Sequence, residues 1–450
     1  MKGVYWRWTV LFILLNLSIP KVGGPNPYSR LAQLASMAED GSFAIDFQLD
    51  EINWTNDWAQ SSDGARFSNK APGPAFIAFP LYKVMDFFQT MGEASKKERF
   101  IKRWNLKHLN GGILSLVFQV LLTALLMFFI DQSLVKNGIS QGAREFLLLA
   151  VYFASISSVF MNTFFGHALA ATLVLGSVYF FERKKYFFVG LWSGLALLSD
   201  YSAGIFLILL LPVIVWQNRR NLSACGRVGA GAFLPFVLWA YYHISAFGGL
   251  LSLPLAHQNP DFITDESAEG LSGVLSMLPN PRALLGLLFG GSRGLLMSSP
   301  WVLLLVVMGF KELFKISNLK FDGKASLFLG VAFFSLLLLF NSAFGAWEAG
   351  ASPGARYLSI AMPLLAYVMI SGEFLSEKFL RLARWLLFPS LLFFCCVYAT
   401  TLLLPAEALW PLFVDRIFYA DRLSALYRLV FLLLSFGVVF VLGQRERRVS

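Results

Sequence analysis

From Gly111 to Ile130 the chain carries no charged side chain, and between Tyr186 and Asn218 only Asp200 interrupts the apolar run. About 20 apolar residues in helical form match the thickness of a bilayer's hydrocarbon core. In lipid the backbone polar groups of such a stretch must be paired within the segment, which a helix achieves. Composition points the same way: 57% of residues are hydrophobic and 14% charged, against about 25% charged in soluble domains. The 45 Phe and 12 Trp suit lipid-facing and interfacial positions. The chain therefore reads as an all-α polytopic membrane protein, a single integral domain over residues 1–450.

Counting apolar stretches predicts about twelve transmembrane helices, centred near 8–20, 110–131, 147–163, 167–181, 187–199, 203–217, 229–246, 296–310, 326–341, 357–372, 385–404 and 426–443. Met1 to Pro20 resembles a signal sequence, but no small-x-small cleavage site follows, so it is taken as the first span. With the N-terminus inside, the internal segments are all basic. They carry Lys136 and Arg144; Arg183-Lys184-Lys185; Arg219, Arg220 and Arg227; Lys311, Lys315, Lys320 and Lys324; Lys378, Arg381 and Arg384; and a C-terminal tail with Arg445, Arg447 and Arg448. The long segments then face outward: a first extracytoplasmic loop over 21–108 with interfacial helices, and a second over 247–295. One basic stretch, Lys96 to Lys107, falls outside and reads as an amphipathic helix on lipid headgroups. The net charge of +10 is of the kind that basic inner loops and contact with anionic membrane lipids produce. No nucleic-acid module or long basic run occurs, and no Cys/His spacing suits zinc or redox chemistry.

Polar groups at membrane level are candidates for function, and they gather on the outer face. The first loop holds Asp46, Asp50, Glu51, Asp57 and Asp63, followed by Ser68-Asn69-Lys70-Ala71-Pro72-Gly73-Pro74. A carboxylate near an acceptor proton serves as general base, and a phosphate leaving group needs Lys, Arg or a divalent metal. Lys70, fixed in a Pro/Gly turn, suits the phosphate; the plain alternative for the acids is a solvated loop. A second set is Asn162 and His167, with Asp200 closing a helix end on the same face. His167 suits a metal, a phosphate or the orienting of a base, or is simply an interfacial hydrogen-bonded histidine. A third set runs from Trp347-Glu348 through Gly354-Ala355-Arg356-Tyr357, where Arg356 suits a bidentate phosphate contact or snorkels to the interface. Arg293, in Gly291-Ser292-Arg293-Gly294, is a similar case.

The order of these elements resembles the polytopic GT-C glycosyltransferases, near the protein O-mannosyltransferase and aminoarabinose-transferase branch (glycosyltransferase family 39-like). The resemblance rests on Arg30 in a first amphipathic helix, the acidic loop, Phe67-Ser68-Asn69-Lys70-Ala71-Pro72-Gly73, Asn162 with His167, Asp200-Tyr201, Ser292-Arg293-Gly294-Leu295 and Gly354-Ala355-Arg356-Tyr357-Leu358, and it covers roughly residues 1–375. It implies inverting transfer of a sugar from a polyprenyl-phosphate donor to an acceptor (lipid, glycan or protein) on the extracytoplasmic face of the cytoplasmic membrane, both termini being cytoplasmic. Lys70 matches the lysine that holds the lipid phosphate. The family's usual acid lies just after the first span, where this chain has Gly24-Pro25-Asn26-Pro27, so the base is expected at Asp46 or Asp57. His167 stands where aminoarabinose-type relatives place an acid. Lys70 and Arg356 are then the donor-phosphate ligands, and Asn162, His167, Asp200, Arg293 and Glu348 support the site, with a divalent metal as an optional cofactor. The rival readings are a lipid or sugar transporter or flippase, and a non-catalytic cell-envelope assembly subunit. Charged residues at one face rather than mid-span favour the enzyme.

Overall fold

A computed structural model describes residues 25–52, 55–92, 95–105, 107–153, 166–262, 278–291, 293–314, 324–350 and 354–371, with isolated positions elsewhere. The spans expected at 8–20, 385–404 and 426–443 lie almost wholly outside the described residues, as does Asn162.

The first loop is an ordered assembly. Helix α1 (Pro25–Asp40) is buried on all sides from Ser29 to Ser36 and stops at Gly41, whose φ of +61° suits glycine. Helix α2 (Asp46–Ile52) follows, then a hairpin of β1 (Trp58–Gln60) and β2 (Arg66–Ser68). Its register pairs Trp58 with Ser68, Ala59 with Phe67 and Gln60 with Arg66. The turn closes through Gly64 at φ +91°. The hairpin had a sequence signal that the helix-based reading passed over: Asp63-Gly64 between short alternating runs. The hairpin is tied to the second loop by the Ala59–Gln258 bridge and by Asn259, whose N–H donates to the Trp58 carbonyl at 3.0 Å.

Helix α3 (Gly73–Gln89) starts directly after the Lys70 turn, with Pro74 in its first turn. Helix α4 (Lys96–Asn105) is the basic stretch. Two of its lysines serve the protein itself: Lys96 pairs with Asp40 and Lys97 with Glu51, each at 2.7 Å, and Lys96 also lies over the Phe47 ring. These two residues thus have partners among the acids of the first loop.

The apolar body comprises α5 (Lys107–Lys136), α6 (Gln141–Phe153), α7 (Gly166–Glu182), α8 (Tyr186–Ser199), α9 (Ala203–Gln217), α10 (Ser223–Phe247), α11 (Pro281–Phe289), α12 (Leu295–Ser298), α13 (Pro300–Phe314), α14 (Ala325–Ala343) and α15 (Met362–Ser371). Among the described residues three helical segments are long and apolar enough to cross a membrane: Leu109–Lys136, Ser223–Phe247 and Ala325–Ala343. Gly166–Glu182, Tyr186–Ser199 and Ala203–Gln217 are apolar but shorter. The described residues are thus mainly helical, with three helices long and apolar enough to span a membrane; the twelve spans expected are not all found among them. The Arg183-Lys184-Lys185 turn and the Asp200-Tyr201 corner separate helices at the boundaries expected from the sequence.

Helices α7 and α8 form an antiparallel hairpin. Gly176 faces Trp192, Ser177 Oγ donates to the Val189 carbonyl, and His167 meets Asp200. The closed end is the basic Arg183-Lys184-Lys185 turn; the open end carries His167 and Asp200. Helix α8 packs on α10 at backbone distance. A Cβ on Gly190 would lie 1.9 Å from the Val228 carbonyl oxygen, and one on Gly231 would lie 1.9 Å from that of Phe187. Gly190 and Gly194 form a small-xxx-small step, which lets helices in lipid approach closely.

A cationic cluster at the open end of the helical hairpin

Four chain segments converge at the open end of the α7–α8 hairpin, and glycine permits two of the approaches. At Gly73, the first residue of α3, a Cβ would lie 2.6 Å from Ser199 Oγ and 2.7 Å from the Leu198 carbonyl oxygen. At Gly166, the first residue of α7, it would lie 2.3 Å from the Ser199 carbonyl oxygen and 2.8 Å from Arg30 Nη2. The Lys-Ala-Pro-Gly turn, the start of α7, the end of α8 and the arginine of α1 are therefore packed against one another.

The β hairpin sets the central pair. Because Trp58 pairs with Ser68, the residues just beyond them emerge side by side, and Lys70 Nζ lies 3.0 Å from Asp57 Oδ2. Their side chains are only 19% and 17% exposed. The loop is pinned from several directions. Ser29 Oγ donates to the Asp57 carbonyl at 2.6 Å, Thr55 Oγ1 accepts from the Asp57 N–H at 3.0 Å, and the Tyr242 hydroxyl donates to the Ser68 carbonyl at 3.0 Å. Burial lowers the Lys70 ammonium below its usual range, and Asp57 opposes that shift.

Around this pair stand two arginines. Arg30 is 5% exposed and donates through Nη1 to Asn26 Oδ1, while its Nε is buried without a hydrogen-bond partner. Burial lowers its guanidinium to about 10, against the pull of Asp200 and Asp57. Arg356 opens the 3-10 turn Arg356–Ile360 that leads into α15, lies over the Tyr357 ring and contributes to the field at both Arg30 and Lys70. At the hairpin mouth, His167 Nδ1 and Asp200 Oδ2 share a short hydrogen bond, and Asp200 Oδ1 accepts from the Ser202 hydroxyl and N–H. Burial alone would raise the Asp200 carboxyl; His167 and Ser202 bring it down to about 2. The His167 ring also stands 5.7 Å from that of Tyr357, edge to face.

Of the expected residues, the structure brings Lys70, Asp57, His167, Asp200 and Arg356 together. Arg293, 5% exposed, donates to the Gly350 carbonyl at 2.8 Å and feels Arg356, Tyr357 and Glu348. It braces the loop behind Arg356, with Glu348 exposed at its rim. Asp46 is held elsewhere in the first loop. Its carboxylate accepts from Arg66 Nε at 2.7 Å and from the Arg66 N–H at 3.2 Å, while Asp50 takes another Arg66 nitrogen. Asp46, the first residue of α2, thus locks the hairpin through Arg66, and Asp57 is the acid set against Lys70.

Arg30 is a member that the residue-by-residue reading left without a role. The signal was an arginine spaced three and four residues from Pro27 and Leu34 in a helix that is buried on all sides from Ser29 to Ser36. Among the described residues no group of three or more His, Cys, Asp or Glu side chains is placed to hold a metal; His167 and Asp200 make a set of two, engaged with each other.

Comparison with protein-family models and with curated proteins finds no match for this chain.

Proposed function

We propose that the protein is a GT-C-like membrane glycosyltransferase. It moves a sugar from a polyprenyl-phosphate donor to an acceptor at the extracytoplasmic face of the cytoplasmic membrane, with inversion. The observation that carries the reading is the buried Lys70–Asp57 pair flanked by Arg30 and Arg356. Three cations beside the Asp57 carboxylate suit a reaction that expels a phosphate and takes up a proton.

In the proposed step the donor phosphate docks on Lys70, Arg356 and Arg30. Phosphate oxygens compete with Asp57 for the Lys70 ammonium, which draws Lys70 away and frees the carboxylate oxygen for the acceptor. Asp57 takes the proton of the acceptor hydroxyl or amine as its heteroatom attacks the anomeric carbon from the face opposite the phosphate. The carbon–oxygen bond to the phosphate breaks, and its electron pair leaves with the polyprenyl phosphate, stabilised by the three cations. The His167–Asp200 pair fixes the mouth of the helical hairpin and adjusts the charge next to Arg30. Support for the outward placement comes from the basic Arg183-Lys184-Lys185 turn at the far end of that hairpin.

The test is reconstitution of the purified chain with a panel of polyprenyl phospho-sugars and acceptors, following release of polyprenyl phosphate. Lys70→Ala and Asp57→Asn should each lower turnover by about 100-fold or more, whereas Asp46→Asn should keep most of it. Binding of the lipid with no release under any condition would favour a carrier or scaffold instead.

A further inference from the structure

Tyr201 follows Asp200 at the corner between α8 and α9. Its hydroxyl is buried and has no hydrogen-bond partner, and it lies within the electrostatic reach of Arg30 and Asp200. Burial holds the phenol well above its usual range, so it stays protonated and can donate. Its ring packs edge-on against Trp239, 5.4 Å between centroids, and lies 5.7 Å from the His243 ring. His243 on α10 is completely buried, and its Nδ1 is 3.1 Å from the Ser252 carbonyl oxygen. A carbonyl only accepts, so Nδ1 carries the hydrogen and Nε2 is left with a lone pair. That Nε2 is buried with no partner. Trp239 packs against both rings, 4.2 Å from the imidazole between centroids, and its own indole N–H is spent on the Leu250 carbonyl at 3.0 Å. A lone donor and a lone acceptor thus lie buried on rings packed against each other, and the donor sits within the field of Arg30.

Leaving such groups unpaired costs about 1–3 kcal/mol each. A hydrogen bond that is absent in the empty protein and tightens in the complex is common in sites that await a ligand. We propose that Tyr201 and His243 form a subsite for the hydroxyl groups of the unit attached to the donor phosphate. The Tyr201 hydroxyl donates to one sugar oxygen, and His243 Nε2 accepts from a neighbouring sugar hydroxyl. This subsite rests on the phosphate reading above: the phosphate anchors on Lys70, Arg356 and Arg30, and the hydroxylated unit turns toward α10. Phosphodiesters without hydroxyls would still meet the cations but not this pair of rings.

The experiment uses the full chain in detergent and three diesters of equal charge: dodecyl methyl phosphate, dodecyl glucosyl phosphate and dodecyl mannosyl phosphate. Binding is measured by microscale thermophoresis. The wild type should bind at least one hexosyl diester about tenfold more tightly than the methyl diester. Tyr201→Phe and His243→Phe should each cut that preference to about twofold or less, while Lys70→Ala should weaken all three and keep the ratio. Tyr201→Phe removes a hydroxyl with no partner in the empty protein, so its thermal midpoint should not fall; a purely structural tyrosine would lose stability. No hexosyl preference in the wild type, or a preference that survives both ring variants, overturns the subsite. Binding of none of the diesters overturns the phosphate reading, and the subsite with it.

Discussion

At the residue scale, the first loop sorts its acids by partner. Asp46 and Asp50 share Arg66, Asp40 and Glu51 take lysines of α4, and Asp57 alone is set against Lys70. The sequence displayed all of these acids without ranking them, because the ranking depends on hairpin register, and a slip of one residue would send Asp57 to the other face. Asp46→Asn is expected to lower stability by about 0.5–1 kcal/mol, since the Arg66 pair is partly solvated, with transfer largely kept; thermal unfolding beside the release assay checks both. Lys70 must be charged to hold phosphate. Because its folded value lies below the ordinary 10.5, affinity for dodecyl phosphate should begin to fall on the alkaline side before a free lysine would titrate. An affinity flat up to the ordinary lysine range would remove Lys70 from the clamp. Asp200 works in the opposite direction. Its folded value of about 2 lies below the ordinary 3.8, so its contribution to stability is complete above that ordinary value and is lost as pH falls toward the folded one. Asp200→Asn should flatten this acid limb in a pH series of thermal midpoints.

At the scale of elements, helices were legible wherever apolar runs were long, as in α5, α10 and α14, and where apolar residues recurred at helical spacing, as in α1. The β hairpin was not, because its strands are three residues each and their stability comes from α1, α10 and the second loop rather than from local pattern. The meeting of His167 with Asp200 was hidden for a related reason. It follows from antiparallel packing of two helices that share a tight basic turn, and neither residue's neighbours in sequence announce it. The α8–α10 contact offers the sharpest test at this scale. Gly190→Leu forces a side chain onto a backbone carbonyl 1.9 Å from its Cβ, a clash with no flexible atom to move. A loss of about 1–3 kcal/mol or more is expected, read as a drop in thermal midpoint in detergent. Gly229→Leu, on the same helix as Gly231 but with open space at its Cβ, should cost far less.

At the scale of the whole molecule, polarity is segregated by end. Arg183-Lys184-Lys185 and Arg219-Arg220 mark one end of the α7–α10 rods, while Asp57, Lys70, His167 and Asp200 gather at the other. The sequence revealed this segregation through the placement of its basic loops, although the number of full-length spans was less legible, since short helices and corners share the same apolar composition. The proposed orientation gives a direct expectation. In intact cells of an expression host, a membrane-impermeant maleimide should label Asp63→Cys at the hairpin tip, and should reach Lys184→Cys only after permeabilisation. The reverse pattern would put the cluster on the inner face and rule out an outer-leaflet donor.

The contact between Lys70 and Asp57 also bears on the order of events. In the empty protein the carboxylate is already occupied, so an acceptor that arrives first finds no group able to take its proton. Under the proposed chemistry the two substrates cannot enter at random: the lipid donor must arrive first. Steady-state kinetics should then be sequential and ordered, with polyprenyl phosphate competing against the donor and not against the acceptor. A single ion pair would thus make the protein wait for its lipid donor before it engages the acceptor.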